Sequence, residues 1–361
     1  MGNVQAIKDD TTKHSTKIIT AGQLLEKRFP KREFILEPWL RNVESSMIWA
    51  PTGVGKTWMT LSIAVAIAGG GKLGKWEASA TRKVLIIDGE MNGQDLQERI
   101  KMLLDNKAIQ DVDEEQGNEN LHIIARQLQE PSADFIDITD EASQHKVLGL
   151  VRQLETELVI VANLTTTADG LPDENDAAAM RSVMRFLMMM KQAGVATILV
   201  HHSNKNGSGF RGSSALGATF ESIISLKAND NAQYGSASFV LDFEKLRAKR
   251  TDATQTKVWT LTDFFWTIED DEQSTKGRIR EAVKSHMFTN QSEIAEHLGI
   301  DKSTVSRALG ALESTQEFSK HQRIEAFKKA KALKEMPAEG IPDDDLTDDL
   351  EGSSVGPDDL L

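Results

Sequence analysis

The segment that most constrains the fold of this chain is a short loop that ends in Gly-Lys-Thr, residues 50–57. An apolar run at residues 46–50 predicts a buried strand before the loop, and residues 57–68 have the pattern of a helix after it. Two glycines allow the backbone N–H groups to turn toward a phosphate, which a helix N-terminus also attracts. The alternative is a chance glycine turn before a buried helix, but the strand–loop–helix context argues against it.

This loop fits the Walker A phosphate-binding pattern, with alanine in the position of the first glycine. In that pattern Lys56 places a positive charge at the β and γ phosphates, and the Thr57 hydroxyl is a ligand of Mg²⁺. The sequence therefore predicts ATP and Mg²⁺ as cofactors, with Thr57 as the metal-binding residue. The predicted cofactor-binding residues of the loop are Ala50, Pro51, Thr52, Gly53, Val54, Gly55, Lys56 and Thr57.

Apolar runs that suit buried strands alternate with helical patterns along the first two thirds of the chain. This alternation predicts an α/β fold with a mainly parallel sheet flanked by helices. The predicted strands are residues 46–50, 83–88, 121–125, 158–162 and 195–201, and the predicted helices are 57–68, 94–104, 141–156 and 176–193. Three later β-rich stretches, at 222–226, 238–243 and 257–266, predict an antiparallel extension.

Composition divides the chain into five segments. We expect a flexible N-terminal arm over residues 1–20, a nucleotide-binding core over 21–269 and a charged linker over 270–277. A small helical domain that ends in a basic helix follows over 278–334, and a disordered acidic tail over 335–361.

The overall charge of the chain does not decide whether it binds nucleic acid. The formal net charge is −13, but ten of the carboxylates lie between Glu335 and Leu361, where lysine and arginine are absent. The chain contains no cysteine, which excludes disulfides and thiolate metal sites and fits a reducing cytoplasm. It has no apolar run long enough to span a membrane. We therefore expect a cytoplasmic protein without a membrane partner.

Two carboxylates follow the predicted strand at residues 83–88. Asp88 and Glu90 stand at its C-terminal end, where open α/β sheets bind their ligands. Glu90 is the candidate general base that orients an attacking water. The alternatives are that Glu90 is a solvated residue in a turn and that Asp88 is structural.

The strand at residues 158–162 has the apolar run of a Walker B strand, but Ala162 stands where aspartate is expected. That aspartate normally holds the hydration shell of Mg²⁺. Without it, we expect the nucleotide to bind through Lys56 and Thr57 with weaker metal positioning and turnover. Ala162 is either an engineered replacement that traps the bound state or a natural variant in which another carboxylate serves. We favour the trap, because the rest of the site is intact.

The order of these motifs along about 250 residues resembles the RecA-like hexameric helicases. The closest resemblance is to the plasmid replicative helicase RepA and its phage relatives, and the bacterial DnaB helicase is further away. The motifs that carry the resemblance are Glu37-Pro-Trp-Leu40, Asp88-Gly-Glu-Met-Asn92, the altered Walker B strand, Val200-His-His-Ser-Asn-Lys-Asn-Gly207, Arg211-Gly-Ser-Ser-Ala-Leu216 and Phe243-Glu-Lys-Leu-Arg247.

The resemblance implies roles for three further residues. His202 is expected to sense the γ-phosphate. Lys245 and Arg247 are two residues apart on a predicted strand and point the same way, and the family uses such a pair as an arginine finger that reaches the neighbouring subunit. A ring-shaped homo-oligomer, a hexamer in the family, follows from this analogy. The alternative is that Lys245 and Arg247 form an exposed basic strand edge.

A Gly- and Ser-rich loop that contains Lys205 and Arg211 follows the strand of His202. In RecA-like rings such loops face the central channel, where lysine and arginine follow the phosphate backbone of single-stranded DNA. The alternative is an ordinary mobile loop.

Residues 289–309 resemble a helix-turn-helix. Ser292 is the expected cap of the first helix and Gly299 allows the turn. The outer face of the second helix carries the residues placed to contact duplex DNA, which are Ser303, Thr304, Ser306 and Arg307. Residues 280–288 are the expected supporting helix and 317–323 a short wing. This unit could instead dock a replication protein, and the acidic tail could bind a basic surface or screen DNA from the basic helix.

Three functions fit these features. The leading interpretation is a ring-shaped, ATP-driven helicase that translocates on single-stranded DNA in the replication of a plasmid, phage or other mobile element. The alternative is an ATP-dependent DNA-binding regulator or loader that uses the core as a nucleotide switch. The third is a filament-forming recombinase, which Lys245 and Arg247 disfavour.

Overall fold

The structure is a computed structural model that divides into two compact units between Asp271 and Glu272. It describes residues 16–29, 31–105, 108–170, 180–204, 207, 209–211, 214–229, 232, 236–262, 265–270, 275–314 and 318–335. Most of the expected N-terminal arm, half of the charged linker, Lys205 and almost all of the acidic tail lie outside these residues.

The first unit is built on a nine-stranded sheet. Its described strands, with two small hairpins, are β1 Phe34–Leu36, β2 Leu40–Arg41, β3 Ser45–Ala50, β4 Lys72–Leu73, β5 Trp76–Glu77, β6 Val84–Asp88, β7 Leu121–Ala125, β8 Leu158–Val161, β9 Ala196–His202, β10 Ser222–Ala228, β11 Ala237–Leu246, β12 Lys257–Thr262 and β13 Phe265–Asp270. The sheet has the order β13-β12-β11-β10-β3-β9-β8-β6-β7. The strands from β10 to β7 are parallel, and β11, β12 and β13 add to this sheet as antiparallel strands.

Helices cover both faces of this sheet. The α-helices described in the first unit are α1 Ala21–Leu25, α2 Lys56–Gly69, α3 Gly93–Asp105, α4 Glu114–Asn120, α5 Glu141–Leu154, α6 Leu164–Thr167, α7 Arg181–Gln192 and α8 Ser214–Thr219. Short 3₁₀ turns occupy Arg126–Leu128 and Asp252–Thr254. No helix in the described ranges is long and apolar enough to cross a membrane.

Continuous burial of the inner parallel strands, β3, β6, β8 and β9, explains why they read as apolar runs. Along β6, Val84 and Ile86 pack with residues of α2 and α3, whereas Leu85 and Ile87 pack with residues of α5 and α7. Successive side chains of a strand point to opposite faces, so both faces of the sheet are covered. The predicted α/β fold with a mainly parallel, helix-flanked sheet is confirmed.

The structure differs from the predicted sheet and helices in three places. The stretch at residues 222–226 does not belong to the antiparallel extension, because it lies in β10, which runs parallel to β3. The β-rich stretch at residues 257–266 is not one strand, because β12 ends at Thr262 and its antiparallel partner β13 begins at Phe265. Helix α4 was not predicted, since its sequence, Glu-Glu-Gln-Gly-Asn-Glu-Asn, lacks an apolar stripe. Tertiary packing explains this helix, because Gly117 is buried and an added Cβ would lie 2.7 Å from Leu104.

The sheet topology gathers several segments at one edge. The phosphate loop follows β3, Glu90 follows β6, Ala162 follows β8, and His202 ends β9, so all four stand at the carboxyl ends of parallel strands. Strand β11 runs the other way, so its first residue, Ala237, reaches the same edge. Lys245, near its last residue, pairs with Ile223 at the opposite edge.

The second unit is a cluster of four helices in its described part. They are α9 Thr275–Lys284, α10 Gln291–Leu298, α11 Lys302–Ser314 and α12 Lys320–Glu335. Its apolar core contains Ile279, Ile294, Val305, Leu309 and Leu312. Between α10 and α11 the chain turns at Gly299, which has a φ of 66° in the left-handed region that glycine tolerates best.

Three local predictions for this unit were wrong. The cap of α10 is Asn290, whose side chain accepts hydrogen bonds from the N–H groups of Ser292 and Glu293, so Ser292 lies inside the helix. The supporting helix α9 begins at Thr275 and ends at Lys284 rather than covering 280–288. Residues 320–323 form the first turn of α12 and not a wing, while Glu317 lies outside the described residues.

Candidate nucleotide-binding site

The phosphate loop has the backbone that an anion site requires. Gly53 and Gly55 have φ values of 81° and 118°, which side chains other than glycine rarely adopt. A Cβ added to Gly55 would lie 2.9 Å from the Phe239 ring on β11, so packing also requires glycine there. Gly55 caps α2 without a side-chain hydrogen bond, so the positive end of a 14-residue helix opens onto the loop.

A cavity of about 590 Å³ lies against this loop. Its volume is in the range of roughly 300–1,000 Å³ that is typical of small-molecule and cofactor sites. The cavity is lined by Thr52, Gly53, Gly55, Lys56, Thr57, Trp58, Thr60, Asp88, Glu90, Met91, Asn92, Asp95, Arg99, Ala162, His202, Ser236 and Ala237. The sheet therefore brings Glu90, Ala162 and His202 together with the Walker A residues in one cavity.

Lys56 lies at the centre of this site. Its Nζ donates to the carbonyl oxygens of Ala50 and Pro51, both at 3.0 Å, and lies 3.3 Å from Nδ1 of His202. Burial lowers the pKa of the Lys56 ammonium, and the negative charge of Glu90 opposes that shift. These contacts hold the Lys56 ammonium between the phosphate loop and His202.

Asp88 and Glu90 have different surroundings. Oδ1 of the buried Asp88 accepts hydrogen bonds from the N–H groups of Glu90 and Met91, at 2.9 and 2.7 Å, so Asp88 orders the turn after β6. Glu90 is exposed to the cavity, and its Oε2 accepts a hydrogen bond of 2.6 Å from Nδ2 of Asn163. These contacts favour a structural Asp88 and leave Glu90 as the carboxylate that can reach a water.

Asn163 is a site residue that the sequence did not identify. Its side chain is nearly buried, and Oδ1 accepts from the N–H of Thr165 at 3.0 Å while Nδ2 donates to Glu90. The same side chain therefore caps α6 and orients the Glu90 carboxylate. The available signal was its position directly after Ala162, at the end of a core strand.

The cavity lacks a carboxylate at Ala162, the position where a Walker B strand normally provides one for Mg²⁺. Ala162 is half-buried at the end of β8, and its N–H donates to the carbonyl oxygen of Ile87 at 2.9 Å. A methyl group offers no metal ligand, and the carboxylates that line the described cavity are Asp88, Glu90 and Asp95. The residues of the phosphate loop fit a nucleoside triphosphate. For Mg²⁺ they offer the Thr57 hydroxyl as a ligand, without the usual carboxylate beside it.

Two planar side chains lie beside each other in the lining of the cavity. The Arg99 guanidinium carbon is 4.8 Å from the centroid of the Trp58 ring, and both residues line the cavity. Flat guanidinium and indole groups stack on other planar groups, which suits contact with a nucleobase. The sequence did not identify Arg99, because only the packing of α3 against α2 brings it to Trp58.

Lys245 and Arg247 do not line the described cavity of their own chain. Nζ of Lys245 donates to the carbonyl oxygens of Gly217 and Ala218 at 2.9 and 3.3 Å, and Nη2 of Arg247 lies 3.4 Å from the latter. Burial, followed by the charge of Arg247, lowers the pKa of Lys245. Both cations thus contact the C-terminal end of α8, at the sheet edge opposite the phosphate loop.

The predicted DNA-contacting residues fall in both units. The N–H of Arg211 donates to the carbonyl oxygen of His202 at 2.9 Å, so its loop returns to the site beside the predicted sensor. On α11, Ser303, Ser306 and Arg307 are exposed and Thr304 is half-buried. All four residues lie on α11, and their contact with DNA stays a prediction.

The fold and the site define a P-loop ATPase domain. The family model described as an AAA domain, AAA_25, matches residues 10–208, which is more than half of the chain. The chain belongs to this AAA domain family.

Comparison with solved structures found a distant similarity. A crystal structure of a KaiC-like protein from the hyperthermophilic archaeon Pyrococcus horikoshii is similar at 11% identity and a TM-score of 0.47, over 66% of this chain and 98% of that one. No curated protein sequence matches the chain significantly.

Proposed function

We propose that this chain is the subunit of a ring-shaped, ATP-driven helicase that translocates on single-stranded DNA in the replication of a plasmid, phage or other mobile element. The observation that carries the proposal is that the proposed catalytic residues lie at two opposite edges of the sheet. Glu90 and His202 share a cavity with the phosphate loop, whereas Lys245 and Arg247 lie at the opposite edge of the sheet. An ATPase that uses this basic pair needs a second copy, and heterologous contacts between copies build a ring where their rotation closes and a filament where it does not.

Within the proposed site each residue has a separate task. ATP with Mg²⁺ supplies, when bound, the phosphoanhydride bond whose hydrolysis drives movement. Lys56 and the N-terminus of α2 hold the phosphates, and His202 detects the terminal one. Glu90 orients a water and accepts its proton, while Asn163 holds the other carboxylate oxygen in place. The loop of Arg211 begins at His202, which links the site to the DNA-facing part of the ring.

The trans position of the finger is tested by mixing two inactive variants, both made in chains that carry Ala162→Asp. The first variant carries Glu90→Gln and retains the arginine finger. The second carries Lys245→Ala with Arg247→Ala and retains Glu90 as the base. If the finger acts across the interface, random mixing restores about a quarter of the active sites, because one copy supplies the base and its neighbour supplies the finger. The measurement is the ATPase rate against the mixing ratio.

A matched control for this experiment is Lys249→Ala, which removes an exposed cation two residues beyond the finger. It should keep the activity of the parent chain. If the mixture stays as inactive as its parts, the finger acts within one chain or not at all, and the argument for a ring fails.

The motor function is tested by ATP hydrolysis with single-stranded DNA and with duplex of the same length. With Ala162→Asp we expect single strands to raise the rate by about tenfold or more, because channel loops that bind DNA are tied to the site through His202. Arg211→Glu should remove most of this stimulation. Displacement of a labelled strand then measures unwinding. If single-stranded DNA does not stimulate hydrolysis and no labelled strand is displaced, the chain is not a helicase.

The second candidate is an ATP-dependent regulator or loader that uses the core as a nucleotide switch. The observations that favour it are Ala162, which predicts slow turnover, and the exposed Ser303, Ser306 and Arg307 on α11, which suit duplex recognition. Preference for duplex over single strands, with hydrolysis that neither one stimulates, would support this function.

A further inference from the structure

Helix α12 has a basic face that its own unit leaves exposed. Lys320, Ile324, Lys328 and Lys331 follow one another at helical spacing and form what we term the basic stripe. All four are exposed, and Ile324 is 41% exposed although it is a large apolar residue. The stripe is therefore an exposed apolar side chain with lysines before and after it, of which Lys331 also lies 3.8 Å from the Glu335 carboxylate.

The other face of α12 is fixed to the unit. Ala326 and Ala330 are buried in its core. Arg323 lies 3.0 Å from the Glu313 carboxylate, and Nζ of Lys334 donates to Glu293 at 2.8 Å. These two ion pairs occupy the inward cations, so rotation of the helix cannot bury the stripe.

The sequence that follows α12 has the complementary chemistry. Residues 336–361 contain nine carboxylates and neither lysine nor arginine. Within them, residues 343–351 read Asp-Asp-Asp-Leu-Thr-Asp-Asp-Leu-Glu, so Leu346 and Leu350 are surrounded by acids as Ile324 is surrounded by lysines. We term these nine residues the acidic motif.

The chain is long enough to bring the two together. Ile324 lies about 17 Å from the end of α12, at about 1.5 Å per residue. The roughly ten residues between that end and Leu346 can span about 35 Å. A short tether of this kind gives an effective concentration in the millimolar range, so even a weak contact is well populated.

We propose that the acidic motif folds back onto the basic stripe of its own chain, with Leu346 against Ile324, and so competes with nucleic acid for this surface. The contact is electrostatic at its edges and apolar at its centre, so salt weakens it without abolishing it. The proposal does not depend on the motor function, because it concerns the second unit alone.

Engineered disulfides test this contact directly, because the chain contains no cysteine. One variant of the full chain carries Ile324→Cys and Leu346→Cys, and the control carries Leu333→Cys and Leu346→Cys. Leu333 is more exposed, at 60%, and closer to Leu346 in the sequence. A free segment would therefore close the control pair about twofold faster.

Docking predicts the reverse order, with the Ile324 pair closing at least about threefold faster than the Leu333 pair under the same mild oxidant. Duplex DNA should slow the Ile324 pair, and five Asp→Asn changes in the motif should remove its advantage. Equal rates, or a faster Leu333 pair, refute docking. A disulfide that forms only between chains on a non-reducing gel assigns the stripe to a second copy and also overturns the proposal.

Discussion

Replacing Ala162 with aspartate is expected to raise the ATPase rate by on the order of a hundredfold, or about 2.7 kcal/mol of barrier. Ala162 directly follows β8 and lines the same cavity as Lys56 and Thr57, and a carboxylate there would hold Mg²⁺ beside the Thr57 hydroxyl. The affinity for ATP should change far less than the rate, because the phosphate loop and the N-terminus of α2 are already in place. The measurement is steady-state hydrolysis together with nucleotide binding at several Mg²⁺ concentrations.

The matched control is Ala162→Asn, because asparagine has nearly the same volume as aspartate but carries no charge. It should leave the rate close to that of the present chain. A gain of equal size with asparagine would show that packing at the end of β8, and not metal binding, limits turnover. If the aspartate variant shows no gain at all, another carboxylate of the cavity already serves the metal, and Ala162 is a natural solution rather than a trap.

Replacing Glu90 with glutamine in the Ala162→Asp chain is expected to lower kcat by about 10²- to 10⁴-fold, the usual contribution of a general base. The reason is chemical, because an amide cannot accept the proton of the attacking water. Glutamine keeps the size of the side chain and can keep a contact with Asn163, so KM should change little. Single-turnover hydrolysis separates the chemical step from nucleotide release.

Asp95→Asn is the control for this prediction, since Asp95 is a second exposed carboxylate of the same cavity. This substitution should lower kcat by less than about tenfold. If the two substitutions have similar effects, the cavity needs negative charge but no particular base, and the role assigned to Glu90 is wrong.

The parts of the site that the sequence revealed are those that local chemistry determines. The phosphate loop needs two glycines, a lysine and a threonine in one short segment, and its flanking strand and helix are visible as apolar patterns. Glu90 and His202 could be placed near it because each follows an apolar run, and parallel strands end at the same edge of a sheet. The inner strands of the sheet were predictable for the same reason, since burial on both faces leaves continuous apolar runs.

The parts that the sequence did not reveal depend on contacts between distant residues. Asn163 meets Glu90, and Arg99 meets Trp58, only because β6 lies beside β8 and α3 packs near α2. Likewise, the antiparallel direction of β11 carries Lys245 away from the cavity.

For this protein, the sequence by itself determined the class of fold, the phosphate loop and the position of the carboxylate proposed as base, because these follow from spacing within single segments. Tertiary structure alone decided which side chain contacts that carboxylate and on which edge of the sheet the basic pair lies. These features depend on strand order and direction, which arise from the packing of the whole sheet and leave no periodic signal in any one segment.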